Sequence, residues 1–303
     1  MSQAMNDLRG SLVALVTPMT AAGAIDWAAL DGLVDWHLES GTHGIVPVGT
    51  TGESATLTHA EQKQVIAAVV RRVNGRVPVV AGTGANATAE AIEFTRAAQG
   101  DGADYCLSVT PYYNKPTQEG MYAHFRAVHD ATDLPLYIYN IPGRCVVDMS
   151  VETMARLAEL PRIVGVKDAS NDPARPHQLR LALQGRAFNQ LSGEDASQLA
   201  FLACGGHGTI SVTANVAPRE CAAMHQAWAA GDAAKALELH ERLMPLHDAL
   251  FVETSPGPVK CAVSLLGRCR PDIRLPLVAP QPSTQATVRA AMLGLNLDVT
   301  GPD

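Results

Sequence analysis

Clusters of basic residues and long apolar runs are both absent from this 303-residue chain. Its 23 lysines and arginines are outnumbered by 30 acidic residues, giving a net charge of −7, so nucleic acids and anionic membrane surfaces are poor partners. No run of about 18 apolar residues occurs, so we expect no membrane-spanning helix. The segment Met1–Arg9 is polar and lacks the apolar region of a signal peptide, which favours a cytoplasmic location.

Paired cysteine motifs are also missing. No two cysteines form a C-x-x-C pair, and their neighbours are mostly apolar, which indicates reduced, mostly buried thiols and neither a disulfide framework nor a zinc site. The sequence therefore predicts no metal and no cofactor. The six cysteines are Cys106, Cys145, Cys204, Cys221, Cys261 and Cys269.

Lysine is scarce, and one lysine has an unusual setting. Lys167 follows the apolar run Ile163–Val166, whereas the others lie in amphipathic stretches or beside prolines. Burial disfavours an ammonium, so an amine at the end of a buried strand becomes neutral and nucleophilic near pH 7 and can form a Schiff base with a ketone. The alternative is an ordinary lysine just past the strand that points into solvent. The other four lysines are Lys63, Lys115, Lys235 and Lys260.

Short β-rich runs alternate with helical segments along the first 230 residues, which predicts parallel strands joined by right-handed crossovers. Eight such units fit a (β/α)8 TIM barrel, with an open doubly wound sheet as the alternative. Residues 231–303 lose the β pattern and are predicted to form a C-terminal helical extension. The predicted strands are Ser11–Thr17, Gly44–Val48, Val77–Ala81, Tyr105–Val109, Leu134–Tyr139, Ile163–Val166, Phe188–Leu191 and Gly208–Val212.

The helical segments carry capping residues at their starts. Thr58, Thr88 and Ser150 each precede an amphipathic stretch with an acidic residue in its first turn, the pattern of a helix N-terminus. The predicted helices include Ala60–Val73, Ala89–Gln99, Val151–Leu160, Asp232–Phe251, Pro258–Leu266 and Thr287–Leu293.

Two glycine-rich loops follow predicted strands. Gly82–Ala87 matches the outline of a dinucleotide fingerprint, but it lies on the third unit and no acidic residue follows at the place that a ribose requires. Gly49–Ser54 lacks the lysine of a phosphate-binding loop. The adjacent hydroxyls of Thr50 and Thr51 suit a small carboxylate instead.

Six motifs in order resemble one enzyme family over nearly the whole chain. They resemble the dihydrodipicolinate synthase branch of the pyruvate-dependent lyases, which also include N-acetylneuraminate lyase. The resemblance implies the barrel, its C-terminal helices and a homotetramer. The motifs are Gly49–Ser54, Val109–Asn114, Tyr139–Arg144, Gly165–Ser170, Leu191–Asp195 and Gly205–Asn215.

The resemblance also implies catalytic roles. Lys167 would form the imine with pyruvate, and the inward side of its strand would include Gly165, leaving room for a substrate beneath the amine. Tyr139 would move protons to and from the imine intermediates, and Thr50 and Tyr113 would complete the relay, with Tyr113 coming from a neighbouring subunit. Read without the family, both tyrosines are better explained as packing residues.

Four further residues would bind substrate. Thr51, with Thr50, would hold the pyruvate carboxylate, and Arg144 would meet the carboxylate of an incoming aldehyde, a task that suits a planar two-pronged donor. Gly193 and Ile210 would line the pocket through their backbone. Without the family, the threonines equally suit a turn and Arg144 a surface ion pair.

The second substrate is less tightly specified than the first. Arg144 favours aspartate 4-semialdehyde, and condensation followed by ring closure would supply lysine and diaminopimelate synthesis. Cys145, where the synthases often carry threonine, leaves the acceptor open. The alternatives are an aldolase acting on a sugar acid, such as N-acetylneuraminate or a 2-keto-3-deoxy acid, and a non-catalytic binding protein on the same barrel.

Many synthases of this kind bind lysine as an inhibitor at a subunit interface. Glu90 would pair with the ammonium of such a ligand and Asn86 with its carboxylate, whereas Gln62 replaces a histidine that lysine-sensitive relatives often carry. Whether lysine inhibits stays open. The positions that match the effector site are Ser54, Ala55, His59, Asn86, Glu90 and Tyr112.

Overall fold

The computed structural model describes residues 8–299, so most of the polar N-terminal segment Met1–Arg9 lies outside the described residues. The described chain contains eight strands that form one parallel sheet with the order β2-β1-β8-β7-β6-β5-β4-β3. The fold class is a (β/α)8 barrel, as predicted. The strands are β1 (Gly10–Ala14), β2 (Gly44–Val46), β3 (Val80–Gly82), β4 (Tyr105–Val109), β5 (Leu136–Asn140), β6 (Ile163–Asp168), β7 (Asn189–Ser192) and β8 (Gly208–Ser211).

Helices follow the strands and then continue alone towards the C-terminus. Two short 3-10 helices, Ser54–Thr56 and Thr213–Asn215, follow β2 and β8. The helices are α1 (Trp27–Glu39), α2 (His59–Val73), α3 (Thr88–Gly100), α4 (Gln118–Asp130), α5 (Pro142–Cys145), α6 (Val151–Leu157), α7 (Arg175–Leu183), α8 (Gln198–Ala203), α9 (Pro218–Ala229), α10 (Ala233–Ala249), α11 (Gly257–Leu265) and α12 (Pro282–Gly294). None of the helices among residues 8–299 is long and apolar enough to cross a membrane.

The chain divides into two compact units. The first is built on Pro78–Ile210 and contains the ladder of neighbouring strands from β3 through most of β8. The second combines Gly10–Val77 with the chain from Ser211 onward, so β1, β2 and the C-terminal helices belong together. In it, α10 packs against α9 and α12. The boundary between residues 230 and 231 stays a prediction.

Helix α2 shows why the sequence folds as it does. Thr58 and Glu61 form a reciprocal capping box that satisfies backbone N–H groups at the helix start. The apolar residues Val65, Ile66 and Val69 recur at helical spacing and are buried. Ser150 caps α6 as predicted, with its hydroxyl accepting from the Thr153 N–H at 3.2 Å.

Several predicted boundaries are wrong by a few residues. Thr88 is not a cap, because α3 begins at Thr88 itself, and the hydroxyl forms a 2.9 Å hydrogen bond with His124 Nδ1. Helix α12 starts five residues before the predicted segment. Strand β6 continues two residues beyond Val166, so Lys167 lies within the strand.

Candidate active site

The lysine that the sequence singles out lies one residue before the end of β6. Every residue of β6 is buried, and only 6% of Lys167 is exposed. The strand register places Tyr139 of β5 on one side of Lys167 and Leu191 of β7 on the other. The alternative of an ordinary lysine just past the strand end, pointing into solvent, is therefore wrong.

The surroundings of Lys167 favour a neutral amine. Burial lowers the pKa of Lys167 from 10.5 to about 8, against the opposing influence of the Glu194 and Asp195 carboxylates, while Arg144 lowers the pKa further. At pH 7 a pKa near 8 leaves about a tenth of the amine unprotonated, against fewer than about one in a thousand for an ordinary lysine. The Lys167 side chain is therefore prepared for attack on a carbonyl carbon.

Tyr139 is an aromatic neighbour of this amine. The Nζ atom of Lys167 lies 4.2 Å from the centre of the Tyr139 ring, and the tyrosine is itself buried. Their pairing across β5 and β6 fixes both side chains from rigid backbone. A phenol and a primary amine thus share one buried space at the ends of two neighbouring strands.

Gly193 brings backbone close to the lysine. Its N–H donates to the Asp168 carbonyl at 2.7 Å. A Cβ atom added at Gly193 would lie 2.7 Å from the Ala169 Cβ and 3.0 Å from the Lys167 Cε. A side chain at this position would press on Ala169 and on the Lys167 side chain, which favours glycine here.

Gly165 does not leave an open space beneath the amine, contrary to the prediction. A Cβ atom added at Gly165 would lie 2.5 Å from the Tyr137 ring and 2.5 Å from the Asn189 carbonyl oxygen. The volume beside Gly165 is filled by Tyr137, which is fully buried. The glycine therefore accommodates the packing of the strand interior.

Arg144 and Ile210 occupy different environments. Arg144 lies in the short helix α5, directly after β5, and its side chain is exposed, yet its charge acts on both Lys167 and Glu194. Ile210 lies in β8 and is fully buried. Burial raises the pKa of Glu194, so this acidic side chain beside the amine holds its proton more readily than usual.

A polar network that the sequence did not reveal supports this end of β5 and β6. The Asn140 amide donates to the carboxylates of Asp148 at 2.8 Å and Asp168 at 3.2 Å, and its carbonyl oxygen accepts from the Met149 N–H at 3.0 Å. Arg175 donates to Asp148 at 2.7 Å. The network fixes the residue next to Tyr139 and the residue next to Lys167.

The second unit carries the two threonines. Thr51 is buried and Thr50 half-buried, in a tight turn after β2 in which the Gly52 N–H donates to the Gly49 carbonyl at 3.1 Å. Thr17 holds this turn through a 2.7 Å hydrogen bond from its hydroxyl to the Gly52 carbonyl. The structure confirms a turn with adjacent hydroxyls at the carboxyl end of a strand.

A second buried lysine escaped the sequence reading. Lys260 of α11 donates to Glu53, the residue that follows Gly52, and both side chains are only 1% exposed. Lys260 is thus more buried than Lys167, but a carboxylate binds its ammonium directly. No local pattern indicates this pair, because the two partners lie 207 positions apart.

Comparison with known proteins fits this geometry. A model of the dihydrodipicolinate synthetase family matches residues 7–293. This chain belongs to that family. A 4-hydroxy-tetrahydrodipicolinate synthase from Rhodospirillum centenum is 61% identical over 289 residues, which are 95% of this chain and 99% of the relative.

Solved structures of the family match the fold closely. A dihydrodipicolinate synthase from Aquifex aeolicus is 44% identical, with a TM-score of 0.94, and the match covers 97% of this chain and 100% of the other. The chloride-inhibited enzyme from Acinetobacter baumannii, complexed with pyruvate, is 46% identical with a TM-score of 0.93, covering 96% and 99%.

Tyr113, which the family resemblance places in the proton relay, lies on the surface of this chain. It is 90% exposed and has a φ angle of 72°, in the left-handed region that bulky residues rarely adopt. The neighbouring Tyr112 accepts a 3.3 Å hydrogen bond from the Asn86 amide through its carbonyl. With 90% of its surface exposed, Tyr113 is not buried beside Lys167.

The proposed effector residues divide between the two units. Asn86, Glu90 and Tyr112 lie together in the first unit, where burial and the Glu90 charge raise the pKa of the Tyr112 phenol. Ser54, Ala55 and His59 lie in the second unit, at the start of α2 and in the turn before it. Within the described residues 8–299, no group of three or more His, Cys, Asp and Glu side chains could hold a metal ion.

Proposed function

We propose that this enzyme condenses pyruvate with L-aspartate 4-semialdehyde to give 4-hydroxy-tetrahydrodipicolinate through a Schiff base on Lys167. The observation that carries the proposal is the buried amine of β6, with its pKa lowered to about 8. Close relatives named 4-hydroxy-tetrahydrodipicolinate synthase support the choice of reaction. The product supplies lysine and diaminopimelate biosynthesis.

The chemistry starts with the neutral Lys167 amine. Its nitrogen attacks the keto carbon of pyruvate, and loss of one water gives the imine. Removal of a methyl proton gives an enamine, whose carbon attacks the aldehyde carbon of the semialdehyde. The amino group of the acceptor then attacks the imine carbon, which closes the ring and releases Lys167.

Tyr139 is the proposed proton carrier for these steps. Its ring lies beside the Lys167 Nζ, which supports transfer of protons to and from the carbinolamine and the enamine. Thr50 and Tyr113 would link the phenol to further proton carriers. The exposed, left-handed Tyr113 supports the idea that it completes the site of another subunit in a homotetramer.

The remaining residues are proposed to bind substrate carboxylates and to shape the pocket. Thr50 and Thr51 would hold the pyruvate carboxylate through the donors of their turn, and Arg144 would hold the carboxylate of the semialdehyde. Its electrostatic influence on Lys167 supports a place near the reacting carbons. Gly193 beside the Lys167 Cε, and Ile210 of β8, would form the walls.

Borohydride trapping tests the Schiff base. Pyruvate and borohydride should leave a stable adduct that peptide mass spectrometry maps to Lys167. Lys167→Met should abolish the adduct. The matched control Lys235→Met removes an exposed lysine of α10 and should leave trapping intact. An adduct that persists in Lys167→Met would refute the proposed nucleophile.

The acceptor is tested through Arg144. Arg144→Ala should lower kcat/KM for aspartate semialdehyde by about 10- to 100-fold, because a hydrogen bond to a charged group contributes about 1.5–3 kcal/mol. Trapping of pyruvate should persist. Unchanged kcat/KM for this aldehyde, together with cleavage of N-acetylneuraminate or a 2-keto-3-deoxy acid, would favour a sugar-acid aldolase. Trapping without turnover of any acceptor would indicate a binding protein.

Lysine inhibition, tetramer formation and a cytoplasmic location complete the proposal. The cluster of Asn86, Glu90 and Tyr112 supports a site for a ligand that carries both an ammonium and a carboxylate. Titration of lysine into the activity assay should lower the rate, and Glu90→Gln should weaken the effect. A rate that stays unchanged at high lysine concentration would refute the proposed lysine inhibition. None of the six cysteines, all of which lie within the described residues, forms a disulfide, which fits a reducing compartment.

A further inference from the structure

The turn that carries Thr50 and Thr51 ends on a buried charge pair. Glu53 lies immediately after this turn, and one of its carboxylate oxygens accepts from the ammonium of Lys260. The other oxygen accepts from the Arg274 backbone N–H at 3.1 Å. Both carboxylate oxygens are therefore bound by the C-terminal part of the chain, from α11 and the segment that follows it.

Arg274 holds the far side of the same segment. Its guanidinium donates to the Thr56 carbonyl at 2.8 Å and to the Glu61 carboxylate at 2.6 and 2.8 Å. Hydrogen bonding to Arg274 is the main reason why the pKa of Glu61 falls to about 2. The same Glu61 closes the capping box with Thr58 at the start of α2. One arginine thus connects the turn, the 3-10 helix after it and the next helix.

The backbone of the turn needs such support. Val48 and Glu53, at its two ends, have φ angles of 58° and 59°, a region that is costly for residues with a side chain. Gly52 lies so close to neighbouring backbone that an added Cβ atom would meet the Leu15 carbonyl oxygen at 3.0 Å. A strained conformation persists only where its surroundings hold it. The Glu53 carboxylate is a side-chain anchor of this one, in addition to the Thr17 hydroxyl.

We propose that Glu53, Lys260 and Arg274 are positioning residues, which fix the Thr50–Thr51 turn in the geometry that receives the pyruvate carboxylate. The inference rests on the proposed function, because it assigns the C-terminal helices a part in pyruvate binding. A buried ion pair is poor evidence of a stabilising role, since an apolar pair of the same volume is often as stable. The charges here fix the orientation of the Glu53 side chain, because its two carboxylate oxygens accept from two donors at fixed positions.

Kinetics on each half of the reaction separates positioning from general stability. Pyruvate reacts before the aldehyde, so kcat/KM for each substrate reports its own half-reaction. Lys260→Met and Glu53→Gln should each lower kcat/KM for pyruvate by at least about tenfold, since small displacements of binding groups cost up to about a hundredfold. The value for aspartate semialdehyde should change by less than about threefold. The matched control, Lys235→Met, removes the exposed Lys235–Glu238 pair and should change neither value.

A double-mutant cycle with Thr51 shows whether the pair acts through the turn. Lys260→Met lowers kcat/KM for pyruvate by a certain factor when Thr51 is present. In a Thr51→Val background, that factor should be less than half as large. If Lys260→Met lowers kcat/KM for pyruvate by the same factor with and without Thr51, the pair has a structural role and the positioning role is overturned. The same conclusion follows if Lys260→Met lowers kcat/KM equally for both substrates. Where a single variant does not fold, the neutral double variant Glu53→Gln/Lys260→Met makes the same comparison, because it leaves no lone buried charge.

Borohydride trapping separates failure of this inference from failure of the proposed function. Wild-type enzyme that traps pyruvate on Lys167, with kcat/KM for pyruvate unchanged in folded Lys260→Met and Glu53→Gln, would overturn the positioning role alone. Wild-type enzyme that never traps pyruvate would overturn both. Trapping in the wild type, with a raised half-saturating pyruvate concentration in both variants, supports both.

Discussion

Replacement of Lys167 by methionine should stabilise this protein while it destroys the reaction. Burial of the amine lowers its pKa from 10.5 to about 8, so the folded protein holds the ammonium less favourably than the unfolded chain. That difference corresponds to about 3 kcal/mol at neutral pH. Methionine fills a similar volume without the charge, so the free energy of unfolding should rise by up to about 3 kcal/mol at pH 7.

The pH dependence has a definite sign. Below pH 8 the amine is charged in both states, and the full cost of its burial is present. Between pH 8 and 10.5 the unfolded chain binds more protons than the folded protein, so the wild type gains stability as the pH rises. The advantage of Lys167→Met should therefore shrink over this range and be small at pH 10.5. Urea unfolding of both proteins at pH 7 and pH 10, at one protein concentration, measures this difference in the free energy of unfolding.

Lys260→Met is the matched control, because it makes the same change at a second buried lysine, one that is paired with a carboxylate. Removal of one partner leaves the Glu53 carboxylate buried alone, which costs about 3–5 kcal/mol, so the two substitutions should have opposite signs. If Lys167→Met instead lowers the free energy of unfolding by about as much as Lys260→Met does, carboxylates hold Lys167 as an ammonium. The argument for a neutral nucleophile would then be refuted.

Three further predictions concern turnover. The rate of pyruvate trapping should rise with pH and reach half its maximum near pH 8, because the attacking form of Lys167 is neutral; a flat profile from pH 6 to 9 would contradict this. Tyr139→Phe should lower kcat by about 10²- to 10⁴-fold in steady-state assays, with the fold kept in circular dichroism, as loss of a proton carrier requires. Gly193→Ala should slow trapping, because its Cβ would lie 2.7 Å from the Ala169 Cβ and 3.0 Å from the Lys167 Cε; trapping at wild-type rates would show that both side chains can move aside.

Much of the architecture could be read from local patterns. Tyr105–Val109 was predicted with the bounds that the structure has, and the other strands were placed within a few residues. Apolar runs of five residues and capping boxes act over short distances, so the sequence displays them directly. The two ends of β6 show the limit: its start is apolar and was found, whereas its last two residues are polar, and hydrogen bonds to β5 and β7 keep them in the strand.

Only some of the residues of the site could be predicted from the sequence. The prediction identified Lys167, Tyr139 and Gly193, and the structure brings these three together. It misjudged Gly165, because the Tyr137 ring that fills the adjacent space comes from another strand. The missed Asn140 network joins residues 8 to 28 positions apart, a range over which no local pattern operates.

The two buried lysines show what decides whether an amine can serve as a nucleophile. Burial alone does not, since Lys260 is the more buried of the two. Lys260 donates to a carboxylate oxygen whose partner oxygen is also bound, so its protons are committed to one partner. Lys167 instead faces an aromatic ring at 4.2 Å, with carboxylates that act on it only through space. On this argument, a carboxylate placed within hydrogen-bond reach of the Lys167 Nζ would hold the lysine as an ammonium and slow formation of the Schiff base.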